Sequence, residues 1–272
     1  MNFDIARAQG QRPLAVSVAP ASISPGDVVH IDITGKADDR IAATVLGQNL
    51  TFAFDAKRGS WRALAGVDLE MKPGTYRLRI QRNGTPMRAR AIRIKTKRFR
   101  MRRLHVPAGF VDPPGEALEQ IAEDTRILAT VYQRDTPQLW TGAFILPVSG
   151  RATSSFGTRS YYNGRRRAPH AGTDFMSEPG EPVQASNHGS VAVAAPLYFT
   201  GNTVVVDHGA RLFSVFAHLS AFQVKTGDVV SPQTIVGLVG STGRVTGPHL
   251  HWSVRLNGAR VDPLSLVAAT TN

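Results

Sequence analysis

The chain has 272 residues, enough for two domains, and no cysteine, which excludes disulfides and thiolate metal sites. Its 32 Lys+Arg against 20 Asp+Glu leave a net charge of +12, which predicts affinity for polyanions, although no specific nucleic-acid module is recognisable. No apolar run reaches transmembrane length, and Met1 to Ala8 lack the basic start and apolar stretch of a signal peptide.

Residues 12–96 read as short strands separated by turns. Leu14 to Val18 alternates, Ser24-Pro25-Gly26-Asp27 turns, and Val28 to Thr34 alternates again. Thr51 to Phe54 follows, and Pro73-Gly74 is a turn. Tyr76 to Ile80 and Met87 to Ile94 face each other across Asn83-Gly84, with apolar residues inward and arginines outward. An immunoglobulin-like β-sandwich is expected here. Residues 97–140 read as a basic, exposed connector followed by a helix over about 113–132. Asp112 would cap that helix and Pro113 would open it, with Leu118, Ile121, Ala122, Thr125, Leu128 and Ala129 as its apolar stripe. Residues 141–267 are Val/Ala-rich, interrupted by glycine and poor in helix signals, which predicts antiparallel β-structure with loops lining a groove. The fold class is mainly β.

Two pieces of this last region carry chemistry. His170-Ala171-Gly172-Thr173-Asp174 supplies an imidazole and a carboxylate, and Pro248-His249-Leu250-His251-Trp252-Ser253-Val254 supplies imidazoles from a strand-like run. Alternation in a strand puts His249 and His251 on one face, about 7 Å apart, and Leu250 and Trp252 on the other. A histidine and a carboxylate joined by a distant histidine form an N/N/O set suited to a catalytic Zn²⁺, one per chain, with a fourth position left open. His218 ends another strand-like run, Ser214 to Ser220. His30, His105, His188 and His208 lie in contexts that call only for structural or solvent-facing roles. No His-Glu-x-x-His helix competes with the site.

The stretch from Thr153-Ser154-Ser155-Phe156-Gly157-Thr158-Arg159 through His170 to Phe175, Pro182-Val183-Gln184-Ala185 and Gly189-Ser190-Val191 resembles the lysostaphin/LytM-type zinc metallopeptidases. The resemblance continues through Gly201-Asn202-Thr203-Val204, Asp207-His208-Gly209, Ala217-His218-Leu219-Ser220, Gly240-Ser241-Thr242-Gly243 and Gly247 to Trp252. It implies that His170, Asp174 and His251 hold zinc, and that His218 and His249 form a catalytic pair beside it. It implies an endopeptidase acting on peptide cross-links of bacterial peptidoglycan, in the cell envelope, periplasmic or secreted, with any signal peptide removed. Anionic wall or envelope polymers are further partners compatible with the charge. Glu181 stands where the family often has a smaller residue, in a turn where no chemical consequence is expected. Asn163, in the loop before His170, is a candidate for lining the groove. A rival is a non-catalytic LytM-type factor that binds wall or activates a separate hydrolase; missing ligands would mark it, and here all are present.

Overall fold

The computed structural model describes residues 15–106 and 113–271. The expected cap Asp112 and the first residues of the 12–96 segment lie outside them. Two antiparallel sheets make the N-terminal β-sandwich. One is ordered β1 (Val16–Ala19), β2 (Val28–Thr34), β6 (Ser60–Gly66), β5 (Ala53–Asp55). The other is ordered β4 (Gln48–Leu50), β3 (Ile41–Val45), β7 (Gly74–Arg82), β8 (Thr85–Pro86), with β9 (Arg90–Ile94) also on β7. Val29, Ile31, Ile33, Ala63 and Ala65 of the first sheet meet Ala43, Val45, Leu78, Ile80, Ile92 and Ile94 of the second in one core. Arg77, Arg79 and Arg93 point outward. The hairpin after β7 turns at Asn83 and Gly84, both with positive φ, as an Asn-Gly turn requires.

The outer face of the first sheet is covered too. Val28 and Leu64 alternate away from the sandwich core and join the core of the C-terminal unit. Around them Val28 N–H donates to Ser265 Oγ (2.9 Å) and Asn257 Nδ2 to the Leu64 carbonyl (3.2 Å). Arg260 bridges Asp68 (2.7 Å) and Glu70 (3.0 Å). Burial alone would raise the Asp68 carboxyl's pKa, but the Arg260 guanidinium and backbone donors bring it down to about 2.

The basic connector is exposed, as its charge requires, but it is also paired. β10 (Met101–Leu104) runs parallel to β12 (Arg159–Tyr162), which forms a hairpin with β13 (Arg165–Arg166). Phe99 anchors the entry, edge-on to Phe156 at 6.3 Å.

The helix starts later than expected. Pro114 is extended, with ψ 150°, so a 3-10 turn at Gly115–Ala117 precedes α1 (Leu118–Tyr132). The packed stripe also differs. Val131 is buried, and Ile127, Leu128 and Tyr132 pack with it on Val193, Val205, Phe213 and Val215. Ala122, Thr125 and Ala129 are exposed, and Leu118 is 57 % exposed.

The C-terminal sheet is ordered β11 (Ala152–Ser154), β14 (Gly172–Phe175), β21 (Leu250–Leu256), β18 (Leu212–Phe222), β17 (Gly201–Asp207), β16 (Gly189–Leu197), β19 (Val229–Val230). β15 (Pro182–Gln184), β20 (Ile235–Val239) and β22 (Ala259–Val261) attach to it, and α2 (Pro263–Thr270) closes the chain, capped by Asp262. One sheet face carries Val204, Val206, Phe216, Trp252 and Val254 into the main core. The other is covered by α1 over Val205, Phe213 and Val215.

His208 is fully buried, its Nδ1 2.7 Å from the His188 carbonyl and its Nε2 2.9 Å from Ser214 Oγ. Burial pushes its pKa down to about 4, against the ordinary 6.5. Between those values the unfolded chain takes up a proton that the folded chain refuses, so stability falls as pH falls from 6.5 towards 4. The loss should reach about 3 kcal/mol, and denaturant unfolding of the parent and of His208→Gln should show a difference between them that shrinks over that window.

Candidate metal centre

The alternation that sends Leu250 and Trp252 into the core puts His251 on the opposite face of β21. Antiparallel pairing sets Asp174 of β14 directly across from His251, and Ala217 of β18 on its other side. His170 lies in the loop before β14, fixed by backbone bonds from its own N–H to the Thr158 carbonyl (3.0 Å) and from Gly157 N–H to its carbonyl (2.8 Å). Three donor atoms converge: His170 Nε2, Asp174 Oδ1 and His251 Nδ1 are 2.8 to 3.0 Å apart.

These are three Lewis bases aimed at one point, and they form the single group of metal-ligand type found among the described residues. A tetrahedral Zn²⁺ with bonds of 2.0–2.1 Å needs ligand atoms about 3.3 Å apart, so opening by a few tenths of an ångström admits it. Burial, the largest influence, would raise the Asp174 carboxyl's pKa, yet hydrogen bonds and charge from His170 and His251 hold it well below the usual range. Burial lowers that of His251, with Asp174 opposing. Asp174 is thus held as the carboxylate and His251 is pushed towards the neutral imidazole, the forms in which these groups bind a metal.

Two further histidines stand beside these three. The His218 and His249 rings are 4.9 Å apart, and His249 Nε2 is 3.7 Å from Asp174 Oδ1. His218 Nδ1 lies 2.9 Å from the Thr242 carbonyl, and His249 Nδ1 lies 2.9 Å from the Gly247 carbonyl. A carbonyl only accepts, so each Nδ1 carries a hydrogen; in a neutral ring this leaves Nε2 as the acceptor. Burial, then repulsion from His251, pushes His218 down to about 4, so it is neutral at pH 7. Its backbone is left-handed, φ 66°, an uncommon state for a non-glycine residue, held by His218 N–H donating to the Thr200 carbonyl (2.8 Å).

Asn163 lies in the turn between β12 and β13, with positive φ. Its side chain accepts from Val106 N–H (2.9 Å) and donates to the Val106 carbonyl (2.8 Å), so its amide fastens the end of the basic connector to the β12–β13 turn. Glu181 accepts from Ser149 Oγ at 3.1 Å, away from the histidines. His30 pairs with Asp32 at 2.9 Å in the sandwich.

Sequence reasoning missed Gly172. It lies across from Ser253, and a Cβ there would sit 2.7 Å from His251 Nε2 and 2.5 Å from the Trp252 carbonyl oxygen. Gly172→Ala should displace the His251 ring and lower zinc affinity about 10- to 100-fold, the size typical of a disturbed outer contact, as read by competition with a chelating dye. The only hint in the sequence was a glycine between two ligand-type residues.

A mainly antiparallel β-unit thus presents a His-Asp-His group of metal-ligand type with two further histidines beside it. The sequence profile of Peptidase family M23 matches residues 168–263, which contain all five residues. A crystal structure assigned to peptidase M23 from Pseudomonas aeruginosa is 31% identical, with a TM-score of 0.73, and the match covers 90% of this chain and 95% of that one. The chain belongs to peptidase family M23. Among curated proteins, Peptidoglycan DD-endopeptidase ShyA of Vibrio cholerae is 30% identical over 237 residues, covering 85% of this chain and 48% of ShyA. DD-carboxypeptidase/endopeptidase Mpg of Neisseria meningitidis is 38% identical over 120 residues, covering 44% of this chain and 28% of Mpg. The chain thus spans about half the length of ShyA and less than a third of Mpg.

Proposed function

We propose that the protein is a zinc-dependent endopeptidase that hydrolyses peptide cross-links of bacterial peptidoglycan. One observation carries the reading: three ligand atoms lie within 3.0 Å of one another, and two histidines stand beside them with Nδ1 held by backbone carbonyls. Names of similar proteins, a peptidoglycan DD-endopeptidase and a DD-carboxypeptidase/endopeptidase, support the substrate class. His170, Asp174 and His251 would hold the ion, which when bound supplies Lewis acidity to the scissile carbonyl and to water. His249 takes the water proton on Nε2, since its Nδ1 is committed to the Gly247 carbonyl. His218, its Nδ1–H held by Thr242, has only Nε2 to offer; it would deliver a proton to the leaving amine after taking up on Nε2 the proton released by the water and passed on from His249, whose ring is 4.9 Å away.

The chemistry is assigned to residues 141–267, with 12–96 as a supporting β-domain and 97–140 as the connector and helix. Such an enzyme would act in the envelope, periplasmic or secreted; no helix among the described residues is long and apolar enough to cross a membrane. The test is digestion of purified walls, with released fragments identified by mass spectrometry. New amino termini at cross-link positions, lost on chelation and restored by zinc, are expected. Fragments that do not depend on the metal would overturn the reading.

A further inference from the structure

One loop carries the acceptors of both histidines beside the metal centre. It runs over residues 240–249 between β20 and β21, and its ends are bridged, His249 N–H donating to the Gly240 carbonyl at 3.2 Å. The Gly247 carbonyl faces His249 Nδ1 and the Thr242 carbonyl faces His218 Nδ1, both at 2.9 Å. Gly247 is two residues from the histidine it serves and comes with it. Thr242 is 24 residues from His218, so its carbonyl must be brought there by tertiary contacts.

The Thr242 side chain makes them. Its hydroxyl donates to the Leu219 carbonyl at 2.8 Å and accepts from Asn202 N–H at 2.9 Å. Leu219 follows His218 in β18, and Asn202 stands opposite Leu219 in β17, where the ladder slips between Asn202 and Val204. The hydroxyl therefore fastens the loop at the slipped register beside the histidine. A second tie runs through the β16–β17 turn. Arg244 N–H donates to the Phe199 carbonyl at 3.0 Å, and the Arg244 guanidinium lies over the Phe199 ring at 5.6 Å. A Cβ on Gly243 would sit 2.3 Å from Gly201 N, so loop and turn meet through their main chains. The same turn offers the Thr200 carbonyl to His218 N–H at 2.8 Å, and α1 holds it through Asp124 Oδ2, which accepts from Tyr198 N–H at 2.7 Å. Turn and loop thus grip the left-handed His218 from two sides, one by its main chain and one by its ring.

We propose that Thr242 is the positioning residue of His218: its hydroxyl fixes the carbonyl that keeps Nδ1 protonated, so that Nε2 stays the atom through which a proton moves. This rests on the peptidase reading for the part His218 plays in the reaction; the grip on the ring does not.

The test uses the full-length, zinc-loaded protein and Thr242→Val, which keeps the branched shape and removes both hydroxyl bonds. In ¹⁵N-histidine-labelled protein near neutral pH, the His218 ring nitrogens are identified by the signals that vanish in His218→Ala. They should report the Nδ1–H tautomer in the parent and move towards the Nε2–H tautomer in Thr242→Val. On a soluble cross-linked wall peptide, Thr242→Val should lower kcat about tenfold with KM and zinc content unchanged. Thr242→Ser, which keeps the hydroxyl, should recover most of both changes. In the His218→Ala background, Thr242→Val should cost no further kcat, because the two residues act through one ring. Thermal melting of each variant checks that it folds. Unmoved ring signals in Thr242→Val would overturn the proposal. So would equal losses in Thr242→Ser and Thr242→Val, or the same fall in kcat with His218 already gone. The ring signals need no turnover. If they move but wall digestion proves independent of the metal, the peptidase reading falls and the grip on His218 stands; if they stay while metal-dependent digestion persists, only the role of Thr242 falls.

Discussion

His251→Ala should release zinc and abolish activity together. The side chain lies on β21 between two buried anchors, Leu250 and Trp252, which the substitution leaves in place. The strand and its pairing with β14 and β18 therefore persist, and the loss is confined to the centre. Two donors remain, His170 Nε2 and Asp174 Oδ1 at 3.0 Å, and a His-carboxylate pair is a poor substitute for three converging ligands. Removing a Lewis acid worth several kcal/mol of transition-state stabilisation should lower turnover by about 10³-fold or more. Asp174→Ala and His170→Ala should behave alike. Metal analysis of dialysed protein checks the first half and wall digestion the second. Added zinc should raise the melting temperature of the parent and not of His251→Ala, because an ion that binds only the folded state stabilises it by mass action. Full occupancy in His251→Ala would dismiss the ligand assignment.

Much of this centre was legible because it rests on strand alternation. His249-Leu250-His251-Trp252 states in four letters which side chains face the core and which face the site, and the two buried ones are 0 % exposed. The Asn83-Gly84 hairpin was legible for a similar reason, since few other pairs accept two positive φ values. What escaped is carried by the main chain or by tertiary contact. The acceptors that hold Nδ1 of His218 and His249 are the carbonyls of Thr242 and Gly247, which no side-chain pattern announces. The left-handed φ of His218 is imposed by the strand register slipping beside it, where β17 and β18 shift between Asn202 and Val204. Strands β3, β4 and β6 are bounded by turns such as Leu46-Gly47, whose positive φ at a leucine gives no sequence cue. The α1 stripe was misplaced because its alanines and threonine fit the helical period equally well, whereas packing selected the bulkier Ile127, Val131 and Tyr132. Docking of the sandwich was hidden for a related reason: in β2 and β6 alternation identifies the face of Val28 and Leu64 but cannot say that a second domain covers it.

The second large effect separates catalysis from metal binding. His218→Ala and His249→Ala should each retain zinc and lose about 10²-fold or more in kcat, the usual size of an acid–base or oxyanion contribution. The structural ground is that neither ring supplies an atom to the converging triad, while both are tied through Nδ1 to backbone carbonyls. His218 is buried and neutral at pH 7, so its alanine variant also leaves a small cavity; a melting curve on the zinc-loaded protein separates that cost from the kinetic one. The two losses should not add in the double variant, because the residues act on one transition state. Leaving-group chemistry then divides their roles. An ester whose alkoxide departs without a proton should rescue whichever variant has lost the proton donor and should leave the other slow. Wild-type turnover in either single variant would reduce that histidine to a structural part of the groove. Rescue of both by the same ester would mean that neither serves as the base.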